Sequence, residues 1–109
     1  MIPAQQNKME IKVKITVKPF ECYYEEIPQL KKTYERLLPD DSTVGYLLVK
    51  LSVELGNSFQ KTIFNPDTMS LIDNSIIFIN GIAMQCLNGF ETKLSDGDSI
   101  IIGRTYTSG

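Results

Sequence analysis

The sequence predicts an α+β domain: a mixed β-sheet with one main helix across one face. Three observations carry this. Residues 10 to 18 alternate strictly, with Ile11, Val13, Ile15 and Val17 on one side and Lys12, Lys14, Thr16 and Lys18 on the other. That is the period-2 pattern of a half-buried strand. Val44, Leu47, Leu48, Leu51 and Leu55 fall on one stripe at helical spacing. Near the end, Asp96-Gly97-Asp98 marks a tight turn, and Ser99-Ile100-Ile101-Ile102 reads as a β-branched strand. One helix cannot cover two faces of a sheet, so a single sheet covered on one side is the economical packing.

Taken in order, residues 1–8 read as a flexible N-terminal arm. Pro19 ends the first strand. Pro28 argues against a long helix through 20–30. Residues 32–38 read as a second strand paired with the first as a hairpin. Asp40-Asp41-Ser42-Thr43 is a helix start, with Ser42 or Asp41 as N-cap, and Gly56-Asn57 closes the helix at about 55. Gly45 inside it suggests a close helix–sheet contact. Residues 57–75 are rich in loops, with a short helical turn or a minor strand at 60–64. Ile76 to Ile79 is a strand, Asn80-Gly81 the strongest two-residue hairpin signal, and Ile82 to Cys86 a short returning strand. The β-grasp domain then spans 9–104, with a flexible C-terminal tail at 105–109. The first and last strands, both strongly apolar, are the natural central pair and would run parallel, which defines the β-grasp or ubiquitin-like roll.

Composition narrows the function. At 109 residues with 42% hydrophobic content, the chain forms one domain with its own core. A net charge of −2 gives no electrostatic case for nucleic acid. The absence of histidine removes the commonest acid/base group and metal ligand. Cys22 and Cys86 match no zinc or redox spacing and read as free thiols that pack. No apolar run reaches membrane-spanning length. The expectation is a cytoplasmic protein that binds no metal or cofactor of its own. The acid pairs Asp40/Asp41 and Asp96/Asp98 could serve metal or acid/base chemistry, but a cap and a turn account for both. Lys12, Lys14 and Lys18 read as a solvated face.

Several of these stretches resemble the MoaD/ThiS-type sulfur carriers, which include the small subunit of molybdopterin synthase, the thiazole-synthesis carrier and the eukaryotic ubiquitin-related modifier. Glu10 to Ile15 is similar to the family's opening strand. Leu38-Pro39 followed by Thr43-Val44 and Leu47-Leu48 is similar to its helix lead-in. Ile77-Phe78-Ile79-Asn80-Gly81 is similar to its Val-Asn-Gly strand end. Leu94-Ser95-Asp96-Gly97-Asp98-Ser99-Ile100 matches its Leu-x-Asp-Gly-Asp-x-Val pattern. The chain departs from the family by ending Ser108-Gly109 where Gly-Gly is usual.

The resemblance implies a carrier, not an enzyme. A ubiquitin-activating-type partner uses ATP to adenylate the Gly109 carboxylate, which becomes a thiocarboxylate. A sulfur-acceptor enzyme, such as a molybdopterin synthase large subunit, then takes the sulfur. Molybdopterin, thiamine thiazole and tRNA are the acceptors the family suggests, and attachment to other proteins is a further use. Thr107 and Ser108 would thread into both active sites ahead of Gly109. The competing reading is a non-catalytic β-grasp interaction module with an inert tail. An enzyme is the weakest reading. Alternation adds a docking surface: if Ile77, Ile79 and Ile100 are core, then Ile76, Phe78 and Ile101 form an apolar patch on the sheet face away from the helix. A long loop, 20–34 or 57–74, could instead fold over that face.

Overall fold

The computed structural model describes residues 12–25, 27–30 and 33–105. The arm at 1–8 and Ile11 lie outside the described residues, as do Thr107, Ser108 and Gly109. Among the described residues, seven strands and two helices follow the order β1 (Lys12–Pro19), β2 (Tyr34–Pro39), α1 (Val44–Leu55), α2 (Asn57–Thr62), β3 (Phe64–Asn65), β4 (Ser70–Leu71), β5 (Ser75–Ile79), β6 (Ile82–Ala83) and β7 (Ser99–Arg104).

Five strands make the main sheet, in the order β2-β1-β7-β5-β6. The hairpin β1–β2 is antiparallel, with Val13 opposite Leu38. The central pair β1–β7 is parallel, with Val17 opposite Ile100. A parallel pair needs a crossover, and here the crossover contains α1, which covers the face it passes. Val13, Ile15, Val17, Ile77, Ile100 and Ile102 meet Val44, Leu47, Leu48 and Leu51 in one buried core. The apolar stripe on α1 thus faces the sheet as its spacing predicts.

Three local features differ from the sequence reading. The N-cap of α1 is Thr43, whose Oγ1 accepts from the Tyr46 amide at 3.1 Å. Ser42 does not serve because its hydroxyl donates to the Pro39 carbonyl at 2.6 Å. Asp41 turns at φ +67°, away from the cap conformation. Gly45 meets loops rather than the sheet: a Cβ there would lie 3.1 Å from the Phe90 carbonyl oxygen and 3.2 Å from Met69 Cε. The returning strand after Asn80-Gly81 stops at Ala83, and a 3-10 turn over Met84–Cys86 follows. Continued alternation would place Met84 outside beside Ile82. The turn instead carries Met84 into the core at 6% exposure, while Ile82 stays 48% exposed.

The two long loops also end in the core. Short 3-10 turns at Glu21–Tyr23 and Pro28–Leu30 bury Tyr23, Ile27 and Leu30. Helix α2 and the small β3–β4 hairpin bury Phe59, Ile63 and Phe64. Both cysteines are free thiols. No helix among the described residues is long and apolar enough to cross a membrane.

Candidate functional site: an open sheet face along the last strand

Strand β7 organises the site. Ile100 and Ile102 point into the core, so Ile101 points to the opposite face. In β5 the buried residues are Ile77 and Ile79, which leaves Ile76 and Phe78 on that same opposite face. Phe78 stands directly across from Ile101, and Ile76 across from Gly103. The structure therefore brings Ile76, Phe78 and Ile101 together, all partly exposed. Neither long loop buries them: Tyr23, Ile27 and Leu30 of one and Phe59, Ile63 and Phe64 of the other go to the core.

A fourth member was missed in the sequence. The Phe20 ring lies on Gly103 and is 41% exposed. A Cβ at 103 would sit 2.9 Å from Phe20 Cζ, so only glycine admits this approach. The Phe20 amide donates to the Ile102 carbonyl at 2.8 Å, fixing the loop to the strand. The available signal was Gly103 itself, since an isolated glycine in a strand pattern marks close approach. Lys18 lies beside Ile101 across the parallel pair and is exposed. Lys14 and Glu35 form a solvent-exposed pair at 3.5 Å on the same face, of little energetic weight. The result is an apolar patch with a charged margin.

At the other end of β7, the Asn-Gly and Asp-Gly-Asp stretches turn out to be one hydrogen-bonded unit. Asn80 Nδ2 donates to Asp98 Oδ1 at 2.8 Å. The Ser95 amide donates to Asp98 Oδ2 at 2.7 Å. The Ser99 amide donates to Asn80 Oδ1 at 2.9 Å. The Lys14 amide donates to Asp96 Oδ1 at 2.7 Å, and Gly97, at φ +89°, donates its amide to the Lys14 carbonyl at 2.8 Å. These carboxylates tie three strand ends together, as the turn reading has it. Asp41 sits elsewhere, 3.5 Å from Lys93 on the surface.

The C-terminal end of β7 is held by different contacts. The buried Tyr23 hydroxyl donates to the Gly103 carbonyl at 2.7 Å and shares a 2.8 Å hydrogen bond with Ser75 Oγ. The Arg104 guanidinium lies 4.7 Å over the Tyr23 ring. Burial pushes the Tyr23 hydroxyl above its ordinary value, against the opposing pull of Ser75 and Arg104. The Thr105 amide donates to the Asn74 carbonyl at 2.9 Å.

A mixed sheet with a parallel central pair and one helix across one face defines the ubiquitin-like β-grasp class. Comparison of the sequence with family models and with curated proteins gives no match. Among solved structures, the chain is similar to the HVO 2177 protein of Haloferax volcanii, with TM-score 0.70, 21% identity, and coverage of 96% of this chain and 94% of that one. It is similar to small archaeal modifier protein 1 from Methanosarcina acetivorans, with TM-score 0.64, 25% identity, and coverage of 91% and 99%. It is also similar to Urm1 from Trypanosoma brucei, with TM-score 0.69, 14% identity, and coverage of 93% and 100%. The similarity of fold to these proteins thus extends over nearly the whole chain.

Proposed function

We propose that this protein is a sulfur carrier whose working group is the carboxylate of Gly109. The observation that supports it is the double role of β7: it contributes Ile101 to the open apolar patch and leads directly, after Thr105, into Tyr106–Gly109. A partner gripping the patch would have the arm beside its active site.

The chemistry follows from a terminal glycine. The Gly109 carboxylate attacks the α-phosphorus of ATP on a ubiquitin-activating-type enzyme, and pyrophosphate leaves. A persulfide sulfur on the donor attacks the acyl adenylate, and AMP leaves. A second thiol then attacks the donor's own cysteine sulfur and forms a disulfide with it, and the S–S bond to the acylated sulfur breaks, which frees the thiocarboxylate. Glycine has no Cβ to obstruct either channel, and Thr107 and Ser108 are slim enough to follow it. No side chain of the carrier takes part in these steps. The patch of Ile76, Phe78 and Ile101 serves first the activating enzyme and then the acceptor, such as a molybdopterin synthase large subunit or an enzyme of thiazole or tRNA thiolation. The same activated carboxylate would also suit attachment to a lysine of another protein.

Mass spectrometry of the chain purified from its own host tests the reading. The expected result is a C-terminal mass gain equal to sulfur replacing oxygen, or an isopeptide link to a partner lysine. Removal of Gly109 should abolish ATP-dependent activation with the melting temperature unchanged. A chain without Gly109 that is still activated refutes the carrier reading. An intact tail with no modification and no activation favours a non-catalytic interaction module.

A further inference from the structure

Strand β6 is shorter than the strand it borders. β5 has five residues, and β6 pairs with only Phe78 and Ile79 before the 3-10 turn at Met84–Cys86 leads the chain off. Beside the rest of β5 lies an open cleft of about 460 Å³, with β4 on its far side. Its apolar walls are Met69, Leu71, Ile76, Met84 and the Phe90 side chain. Ser70, Asn74, Gln85 and Thr105 add neutral polar groups at exposed positions. Among the described residues, no charged side chain lines it. The Phe90 wall is fixed from behind by the buried Phe64 ring, with centroids 5.6 Å apart and the rings tilted by 58°. The missing Cβ at Gly45 lets both Phe90 and Met69 close on α1. Met69 takes φ of +51°, uncommon outside glycine, and stays 40% exposed. Backbone strain that keeps a large apolar side chain at the surface collects at binding sites. Ile76 lines the cleft and also stands in the open patch, so the two surfaces are continuous around β5.

We propose that the cleft receives one uncharged aromatic side chain, a Trp or Tyr, from the partner that grips the patch. The chemistry of the lining selects it. Two methionine thioethers and an aromatic ring favour contact with another ring. A lining without charge offers no counter-charge to a Lys, Arg, Asp or Glu, whose burial there would be costly. An aliphatic anchor would leave the amides of Asn74 and Gln85 unanswered, whereas Trp and Tyr combine an apolar body with one polar tip. A cleft of this volume lies in the range that holds small ligands and so admits one such ring. This inference rests on the carrier reading and adds to it the anchor by which the partner holds the carrier, separate from the chemistry at the carboxylate.

Two measurements test it together. Methionine labelled with ¹³C at the ε-methyl gives separate signals for Met69 and Met84. On titration with N-acetyl-L-tryptophanamide both signals should shift, and N-acetyl-L-leucinamide at the same concentration should leave them in place. Binding of the host's ubiquitin-activating-type enzyme gives the second readout, and it should move the same two signals. Ser70→Trp and Gln85→Trp each fill the cleft from an exposed position. Each should lower affinity for the enzyme by about thirtyfold, the loss expected of a central anchor, with the melting temperature unchanged. Filled variants that bind the enzyme as tightly as the native chain overturn the proposal and leave the carrier reading standing, as do Met69 and Met84 signals that stay in place when the enzyme binds. Equal responses to the two amides overturn the selection for an aromatic ring. A native chain that the enzyme neither binds nor activates identifies the carrier reading as the part that failed, and the anchor assignment falls with it.

Discussion

Replacing Asp98 with Ala should destabilise the fold without touching its chemistry. Asp98 accepts two hydrogen bonds, from Asn80 Nδ2 at 2.8 Å and from the Ser95 amide at 2.7 Å. A hydrogen bond to a charged group contributes about 1.5–3 kcal/mol when well protected. Asp98 is partly exposed, and water re-solvates what the substitution frees, so the two bonds together are worth about 2 kcal/mol. At about 4 °C per kcal/mol for a domain of this size, the melting temperature should drop by about 8 °C. Asp96→Ala removes one exposed bond, from the Lys14 amide, and should cost about 1 kcal/mol. Asn80→Ala combined with Asp98→Ala should cost less than the sum of the two, because the pair shares a bond. The assay is thermal denaturation of each variant, with activation by the adenylating enzyme measured alongside. If Asp98→Ala melts within about 1 °C of the native protein yet loses activation, the carboxylate acts in chemistry or recognition and the turn account is wrong.

The remaining predictions use the same two assays. Phe78→Ala and Ile101→Ala should each weaken partner binding by about 1–3 kcal/mol if central to the interface, with little change in melting temperature; a large stability loss at unchanged affinity would place them in the core instead. Tyr23→Phe removes a hydroxyl bonded to the Gly103 carbonyl and Ser75 Oγ and should cost about 1–2 kcal/mol by denaturation. Because burial raises the Tyr23 value in the folded state, the unfolded chain loses that proton first, and stability should fall as pH rises above about 10. Tyr23→Phe should flatten that fall, and an unchanged slope would exclude Tyr23 as its source. Gly103→Ala would drive a methyl to 2.9 Å from Phe20 Cζ and should displace that exposed ring with little loss of stability; native Phe20 ring shifts in the NMR spectrum of that variant would contradict the contact.

What the sequence determined by itself was whatever depends on short-range spacing. The alternation of Val13, Ile15 and Val17 and the stripe of Leu47, Leu48 and Leu51 identify their buried faces directly, because strand and helix periods are properties of the backbone. Asn80-Gly81 announces its hairpin for the same reason, and both residues take positive φ, of +53° and +85°. The split of Ile76, Phe78 and Ile101 from Ile77, Ile79 and Ile100 follows from alternation once one side is assigned to the core.

Tertiary structure decided what depends on contacts distant in sequence. Thr43 rather than Ser42 caps α1 because the Ser42 hydroxyl is drawn to Pro39. Gly45 answers to Phe90 and Met69, more than twenty positions away, which no local pattern encodes. Met84 leaves the strand pattern where a 3-10 turn carries it into the core. Phe20 joins the open patch only because Gly103 lies beneath it. Asn80 and Asp98 read as two separate turn signals along the chain, and only folding sets them 2.8 Å apart. Thr105 bonds the Asn74 carbonyl, thirty-one positions earlier in the chain. Such a contact forms only after the sheet has set the two segments side by side.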